Sequence, residues 1–418
     1  MLKNYLKIAL KVLARRKFFT FVSLFGTSFT LMVLLILAAS LDVAFSPKAP
    51  EVNLNRTLHL TTAIMNHSDP EKRSQWWSGP GYKLCDEYLR DLPGVEITSI
   101  YSRPETVVGY RDGERIESSL RLVDGPYWDA LSFEFLEGGP FMAEDDEQAN
   151  LVAIINEKTR RQYFDDEPAL NKHIRTGSLR YRVIGVVKDV DIFRDAATAD
   201  IWAPIHTTIY QNMLSSLMGG FNLLLVAEDK SAFPEIKAEF QTRLQNIEFP
   251  DPEEWDRIVG KLLTRVDGFH TSLKGVDADG NVKYVEDIHK QLLLVAAFLF
   301  LPVINLISIN MSRIFERSSE IGVRKAFGAS STHLVGQFVM ENVVLCVIGG
   351  VIGVLGAFLV TEFFSRVNVV QGVKLAMNYR ALIYMVLLSG FFGALSGAYP
   401  AWRMSRLHPV DALRGETK

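Results

Sequence analysis

Cysteine is nearly absent from this chain: Cys85 and Cys346 are the two in 418 residues. One stands in a polar region and the other inside a long apolar run, so they cannot pair, and a disulfide framework is excluded. There is no Gly-x-x-x-x-Gly-Lys-Ser/Thr segment to cradle phosphates. Nor is there a His-Glu-x-x-His or clustered Cys/His spacing for a metal, or a Gly-x-Ser-x-Gly elbow for a nucleophilic serine. Asp277, Asp279 and Asn281 imitate the opening of a calcium loop, but Gly280 takes its fourth position instead of the sixth and Ile288 replaces the closing Glu. A tight polar turn is the expectation there. Positive charge is not in excess either. The formal net charge is -3, and without a basic groove a nucleic-acid partner is excluded.

What the chain does have is four long apolar runs, at 18–45, 292–314, 338–364 and 382–402. Each holds about 20 or more mainly uncharged residues, enough to cross a bilayer of roughly 30 Å as helix. Between the first and second lie about 240 mostly polar residues, too many for a connecting loop and enough for a domain. Lys3, Lys7, Lys11, Arg15, Arg16 and Lys17 precede the first run; Arg313, Arg317, Arg324 and Lys325 follow the second, and Arg403, Arg406 and Arg414 follow the fourth. Basic bias in short flanks orients spans with that side in the cytoplasm, which predicts both termini inside and the large segment outside. That segment carries an acidic excess of about 14 charges, which long translocated domains tolerate. The first run is about twice the length of a signal-peptide core, so an uncleaved anchor is expected.

The fold class is therefore an α-helical membrane protein with four transmembrane helices and a large α+β extracytoplasmic domain between helices 1 and 2. The boundaries read as a cytoplasmic amphipathic helix at 1–17, spans at 18–45, 289–314, 338–364 and 382–402, an outer domain at 46–288, and an inner loop at 315–337. A short outer loop at 365–381 and a cytoplasmic tail at 403–418 complete the chain. The 2–17 stretch, with cations every four residues over apolar cover, either lies on anionic headgroups or is a plain positive flank.

Within the outer domain, β-branched and aromatic runs predict strands at 95–101, 105–110, 151–155, 181–187, 201–205 and 223–227. Helices are predicted at 81–92, 157–164 and 234–246, the last with Pro234 in its first turn. Two lobes follow, the stretch 106–203 being inserted in a framework made by its flanks. Pro302, Asn305 and Asn310 interrupt the second span and should face the helix bundle. Gly349, Gly350, Gly353 and Gly356 in the third span, with Gly390, Gly393 and Gly397 in the fourth, form small-residue ridges that permit close helix approach.

The inner loop is the densest short segment. Glu320 and Arg324 have the favourable i to i+4 order on a helix, and Gly328 can end that helix in a left-handed conformation. Ser330, Ser331 and Thr332 offer an N-cap to a second helix running through His333, Leu334 and Phe338. From these residues alone a solvated charged loop remains open.

Glu-Arg-x-x-Glu-Ile-Gly-x-Arg-Lys-Ala-x-Gly-Ala at 316–329, followed by an amphipathic helix and a Gly-rich span, resembles the membrane subunits of MacB- and FtsX-class ABC transporters. Tyr399-Pro400-Ala401 and the run Pro409 to Arg414 are similar to the ending these permeases share. Gly138-Gly139-Pro140-Phe141, Val152 to Glu157, Asn171-Lys172 and Tyr181 to Val187 resemble the MacB-type periplasmic core. The resemblance implies a permease of a bacterial inner membrane that works as a dimer, with a second copy or a paralogue. A separate ABC ATPase subunit would bind the ATP and Mg, and this chain no cofactor of its own. Glu316, Arg317, Glu320, Arg324, Lys325, Gly328 and Ala329 would then shape the ATPase-coupling element, Ser331, His333, Leu334 and Phe338 its contact helix, and Pro409, Leu413 and Arg414 its support. Mechanotransmission serving efflux of a hydrophobic, antibiotic-like or peptide substrate is the leading implication, through a periplasmic adaptor and an outer-membrane channel. Regulation of a periplasmic hydrolase, lipoprotein extraction and a membrane-anchored ecto-enzyme or receptor are the alternatives.

Overall fold

The computed structural model describes residues 17–69, 75–165, 167–191, 193–268 and 331–366, with isolated positions at 307, 323, 327, 383, 386–387, 390–391 and 393–395. These fall into two compact units, one within Val43–Glu286 and the other within the flanking segments Met1–Asp42 and Asp287–Lys418.

Helix α1 (Lys17–Phe45) opens the described chain. The central domain then runs through β1 (Thr57–Leu60), β2 (Ala63–Asn66), β3 (Gln75–Pro80), β4 (Val95–Ser102), β5 (Glu105–Arg111) and β6 (Glu114–Val123). Next come α2 (Tyr127–Ala130), β7 (Phe135–Gly138), α3 (Ala143–Glu147), β8 (Val152–Asn156), α4 (Glu157–Phe164), β9 (His173–Thr176) and β10 (Leu179–Val187). β11 (Ile201–Pro204), β12 (Met218–Gly219), β13 (Phe221–Ala227), α5 (Phe233–Gln245) and β14 (Arg257–Gly260) complete it. It is an α+β domain. One mixed sheet has the order β1-β13-β4-β6-β11-β8-β10-β7, with β5 on β6 and β9 on β10, and a second has the order β12-β3-β2-β14.

The long sheet explains how the domain is divided. Strand β13 is buried along its whole length, as a central strand must be, and its side chains alternate between two cores. Leu223 and Leu225 join Leu58, Leu60, Ile236 and Phe240 on one face, while Leu224 and Val226 join Trp128, Trp202 and Tyr127 on the other. Farther along the sheet, Ala153, Ile155 and Ile201 turn toward a third core with Tyr163, Tyr181 and Val183. One face thus carries a continuous aromatic layer, and the opposite face carries two separate cores, one under α5 and the other under α4.

Local chemistry accounts for the helices. Asn156 caps α4, its side-chain oxygen accepting from the Thr159 backbone N–H at 2.7 Å. Helix α5 takes Pro234 in its first turn and buries Phe233, Ile236, Phe240 and Leu244, one stripe at helical spacing. The helix expected at 81–92 is instead a shorter segment at 82–88 that widens to i to i+5 spacing over Leu84–Tyr88. Leu89 has left the helical region, and Pro93 and Gly94, the latter at φ 75, keep the chain from re-entering it. Gly138 also has positive φ, and a Cβ there would collide with the Ile184 carbonyl oxygen, so the Gly138-Gly139 turn needs glycine at its first position.

In the other unit, α1 is joined by α6 (Ser331–Arg366). Stretches Thr20–Asp42 and Asn342–Phe363 within these helices are each long and apolar enough to cross a membrane. Ser28, Ser40 and Thr361 donate their hydroxyls to carbonyls three or four residues earlier, which satisfies them inside the helix.

Candidate functional site

Each of the two units holds one candidate site. In the helical unit, α1 and α6 come close along the glycine ridge. A Cβ on Gly349 would lie 2.8 Å from the Thr27 methyl, one on Gly353 2.9 Å from the Ser28 carbonyl oxygen, and one on Gly356 3.0 Å from the Met32 sulfur. Gly393 faces Val343 and Cys346 of α6 in the same way, with its Cβ 3.0 Å from the Val343 Cα. Only a hydrogen side chain admits this approach, and the gain is dispersion contact between backbones. Ser331, His333, Leu334 and Phe338 lie on the first turns of α6. Glu316, Arg317, Glu320, Arg324, Lys325, Gly328, Ala329, Gly397, Pro409, Leu413 and Arg414 lie outside the described residues, as do residues 2–16 of the predicted amphipathic stretch and the 277–288 turn, while Lys17 opens α1.

The second place is the root of the central domain, where the chain enters it at 44–51 and runs out of it at 263–265. Helix α1 has no basic residue in its last turn, although a helix C-terminus leaves four carbonyls unpaired and carries partial negative charge. Two arginines from far along the sequence supply what it lacks. Arg265 Nε donates to the Ala44 carbonyl at 3.3 Å, and Arg194 Nη2 donates to the Ser46 carbonyl at 2.7 Å. Arg194 also pairs with Glu51, Nη1 to Oε2 at 3.1 Å, with both side chains under 5 % exposed. A buried charge pair of this kind stands only if its hydrogen bonds are made.

Arg194 sits in a loop, 193–199, that the domain core holds from several sides. Arg121 of β6, itself buried, donates from Nη2 to the carbonyls of Asp195 at 2.8 Å and Thr198 at 3.1 Å. Its guanidinium lies 5.0 Å from the Tyr101 ring centre. The Tyr127 hydroxyl donates to Ala196 O at 2.8 Å, Asn156 Nδ2 to Ala199 O at 3.3 Å, and Arg265 Nη2 to Phe193 O. The outgoing segment is fastened to β1 by a backbone pair, His59 N to Leu263 O at 2.9 Å and Leu263 N to His59 O at 2.8 Å. Burial, and then the neighbouring positive charge of Arg265, hold the His59 imidazole down to about 4, so it is neutral at physiological pH.

None of these root residues stands out in the sequence. Arg194 and Glu51 are 143 positions apart, and Arg265 and Ala44 are 221 apart. The one signal available was a long apolar helix with no cation in its last turn. Elsewhere Asp124 is buried under hydrogen bonds from Ser99 Oγ at 2.8 Å and the Ile100 N–H at 2.9 Å, with Arg90 at 3.5 Å. Burial outweighs these partners and pushes its carboxyl up to about 6. Among the described residues no three His, Cys, Asp or Glu side chains gather as a metal site would require. The arrangement at the root makes or breaks no bond; it holds the chain at 44–46 against the rest of the central domain.

A profile of the MacB-like periplasmic core domain matches residues 20–243, and one of the FtsX-like permease C-terminal region matches residues 292–409. The macrolide export ATP-binding/permease protein MacB of Hahella chejuensis (strain KCTC 2396) is 28 % identical over 306 residues, which cover 72 % of this chain and 43 % of that protein. MacB of Escherichia coli (strain K12) is 29 % identical over 308 residues, with 72 % and 44 % covered. The chain thus spans less than half the length of these relatives. Among solved structures, the periplasmic region of MacB from Actinobacillus actinomycetemcomitans is similar at 14 % identity and TM-score 0.38, covering 54 % of this chain and 97 % of that one. The extracellular domain of the noncanonic ABC-type transporter YknZ from Gram-positive bacteria has TM-score 0.37 at 13 % identity, covering 49 % and 99 %. With its first half matched by the one profile and its C-terminal part by the other, the chain belongs to the family of ABC transporter permeases that join a MacB-like periplasmic core domain to an FtsX-like membrane region.

Proposed function

We propose that this protein is the permease subunit of a bacterial ABC transporter and that it converts ATP hydrolysis by a nucleotide-binding partner into movement of its periplasmic domain. The observation that carries the reading is the order of the two family regions in one chain, core domain first and FtsX-like region after it. In this reading four helices cross the inner membrane, at 18–45, 289–314, 338–364 and 382–402, with both termini in the cytoplasm. Two permease subunits pair, and the partner ATPase docks on the inner loop, where Glu320, Arg324 and Lys325 shape the element and the first turns of α6 meet the ATPase. The glycine ridge of α6 lets the spans move as one packed body.

The cargo in this reading is a hydrophobic, antibiotic-like or peptide molecule expelled through an adaptor and an outer-membrane channel, the sense in which the MacB relatives are named for macrolide export. The test is purification of the full chain from its native membrane with its bound subunits. An ABC ATPase together with a periplasmic adaptor is the expected set. An ATPase with a cell-wall hydrolase would replace export by regulation, and a preparation with no ATPase at all would remove the reading. Arg324→Glu should leave insertion intact while severing ATP turnover from transport; unchanged transport would remove the assignment of the inner loop.

A further inference from the structure

We propose that Arg194, with Glu51 and Arg265, forms the rigid joint that passes movement of the chain at 44–46 into the central domain, a claim that rests on the permease reading above. Residues 46–56 hold no strand, only an isolated bridge between Lys48 and Glu51 and one short helical turn, Leu54–Arg56. Such a segment, left to itself, stretches or bends under load and dissipates it. Three features remove that slack. The last turn of α1 and the residue after it are held by two guanidinium groups, at the Ala44 and Ser46 carbonyls. The Arg194–Glu51 pair closes a bracket across 46–51, and its burial makes separation of the charges unfavourable, since each would be left buried without its partner.

The third feature is that the loop bearing Arg194 is itself gripped by Arg121 and Tyr127 from the sheet and its first following helix. A pull on Ser46 therefore reaches the aromatic core layer through hydrogen-bonded groups without crossing a flexible link. Arg265 also donates to Phe193 O of the same loop, so the outgoing chain is tied to the incoming one at a single point. A domain fastened at both ends in this way moves as a body; fastened by covalent linkers alone it would trail behind. These are positioning residues, and they touch no substrate.

The test uses the full chain in complex with its ATPase in lipid nanodiscs, read by hydrogen–deuterium exchange with and without ATP and vanadate. The informative variant is Arg194→Met with Glu51→Leu, which removes both charges together and leaves neither buried alone. ATP turnover should stay within about twofold of the parent, while exchange across 46–56 should rise about tenfold or more in the ATP-trapped state only, as the load is absorbed there. Arg265→Gln should act in the same direction. Equal exchange rises with and without ATP would mean that the residues serve stability alone, and no rise in either state would mean that the segment bears no load; both overturn the joint. A parent complex with no ATP-dependent change anywhere in the central domain would instead overturn the permease reading beneath it.

Discussion

Two titrating groups in the central domain, buried Asp124 and half-buried His59, act on stability in opposite directions, and separating them gives a sharp test of the packing described for both. Asp124 has its carboxyl moved from 3.8 to about 6 by burial. Between those values the folded chain keeps a proton that the unfolded chain has released, so its contribution falls as pH rises through the window and is level above it. At about 1.4 kcal/mol per tenfold change, the span amounts to about 3 kcal/mol. His59 moves the other way, from 6.5 to about 4, through burial first and Arg265 second. Between about 4 and 6.5 the unfolded chain holds the proton that the folded one lacks, so stability rises with pH. Because His59 is only partly buried, its share is discounted to about 2 kcal/mol. The two slopes partly offset one another in the parent protein.

Asp124→Asn retains an oxygen to accept from the Ile100 N–H but cannot ionise, so the rising slope of His59 should emerge, with the variant gaining about 3 kcal/mol on the parent between pH 4 and 7. His59→Gln should do the reverse and lose about 2 kcal/mol over the same interval. For a domain of this size each kcal/mol moves the melting midpoint by about 2–4 °C. Melting the purified full chain in detergent at several pH values reads both effects, and groups common to all variants cancel in the differences. Parallel curves for parent and Asp124→Asn from pH 4 to 7 would refute the burial and bonding assigned to this carboxylate.

Gly353→Leu should force α1 and α6 apart, because a Cβ alone already lies 2.9 Å from the Ser28 carbonyl oxygen; a loss of about 1–3 kcal/mol is expected, seen as a lower melting midpoint of the full chain, while the same change at Gly390, with no atom within 4 Å among the described residues, should be mild. Cys85 is fully buried, and burial raises its thiol well above the ordinary range. It should therefore resist a maleimide in the native protein and react within minutes of denaturation; rapid native labelling would contradict its place in the core.

Much of the central domain was legible before folding. Strands at 95–101, 105–110 and 181–187 and the helices at 157–164 and 234–246 were placed within about two residues, because each is announced by contiguous signals: β-branched runs, an Asn cap, a proline in the first turn. The strands Thr57–Leu60, Ala63–Asn66, Gln75–Pro80 and Glu114–Val123 escaped notice for reasons of their own. The first three are short or polar; β1 pairs with β13, and although β2 and β3 pair with each other, their outer partners β14 and β12, like β13, lie more than a hundred residues away. Glu114–Val123 is rich in charge at one end and becomes a strand by pairing with β5 and with β11. The helical segment ending at Tyr88 is shorter than the 81–92 expectation because Leu89 already leaves the helical region.

The apolar length of the α1 and α6 stretches, the small-residue ridge on α6, the uneven distribution of charge and the family motifs are properties of neighbouring residues, so they are present before any fold exists. The root of the central domain is of another kind. Nothing local marks Arg194, Glu51 or Arg265 among the many charged residues of a polar segment, and each becomes significant only when the folded core brings it to the carbonyls at 44–46 or to the groups that reach them. A hydrogen bond acts over about 3 Å, whereas the chain separates these partners by well over a hundred residues. Which cations close the end of that helix was therefore settled by tertiary packing, since only the folded core could hold them there.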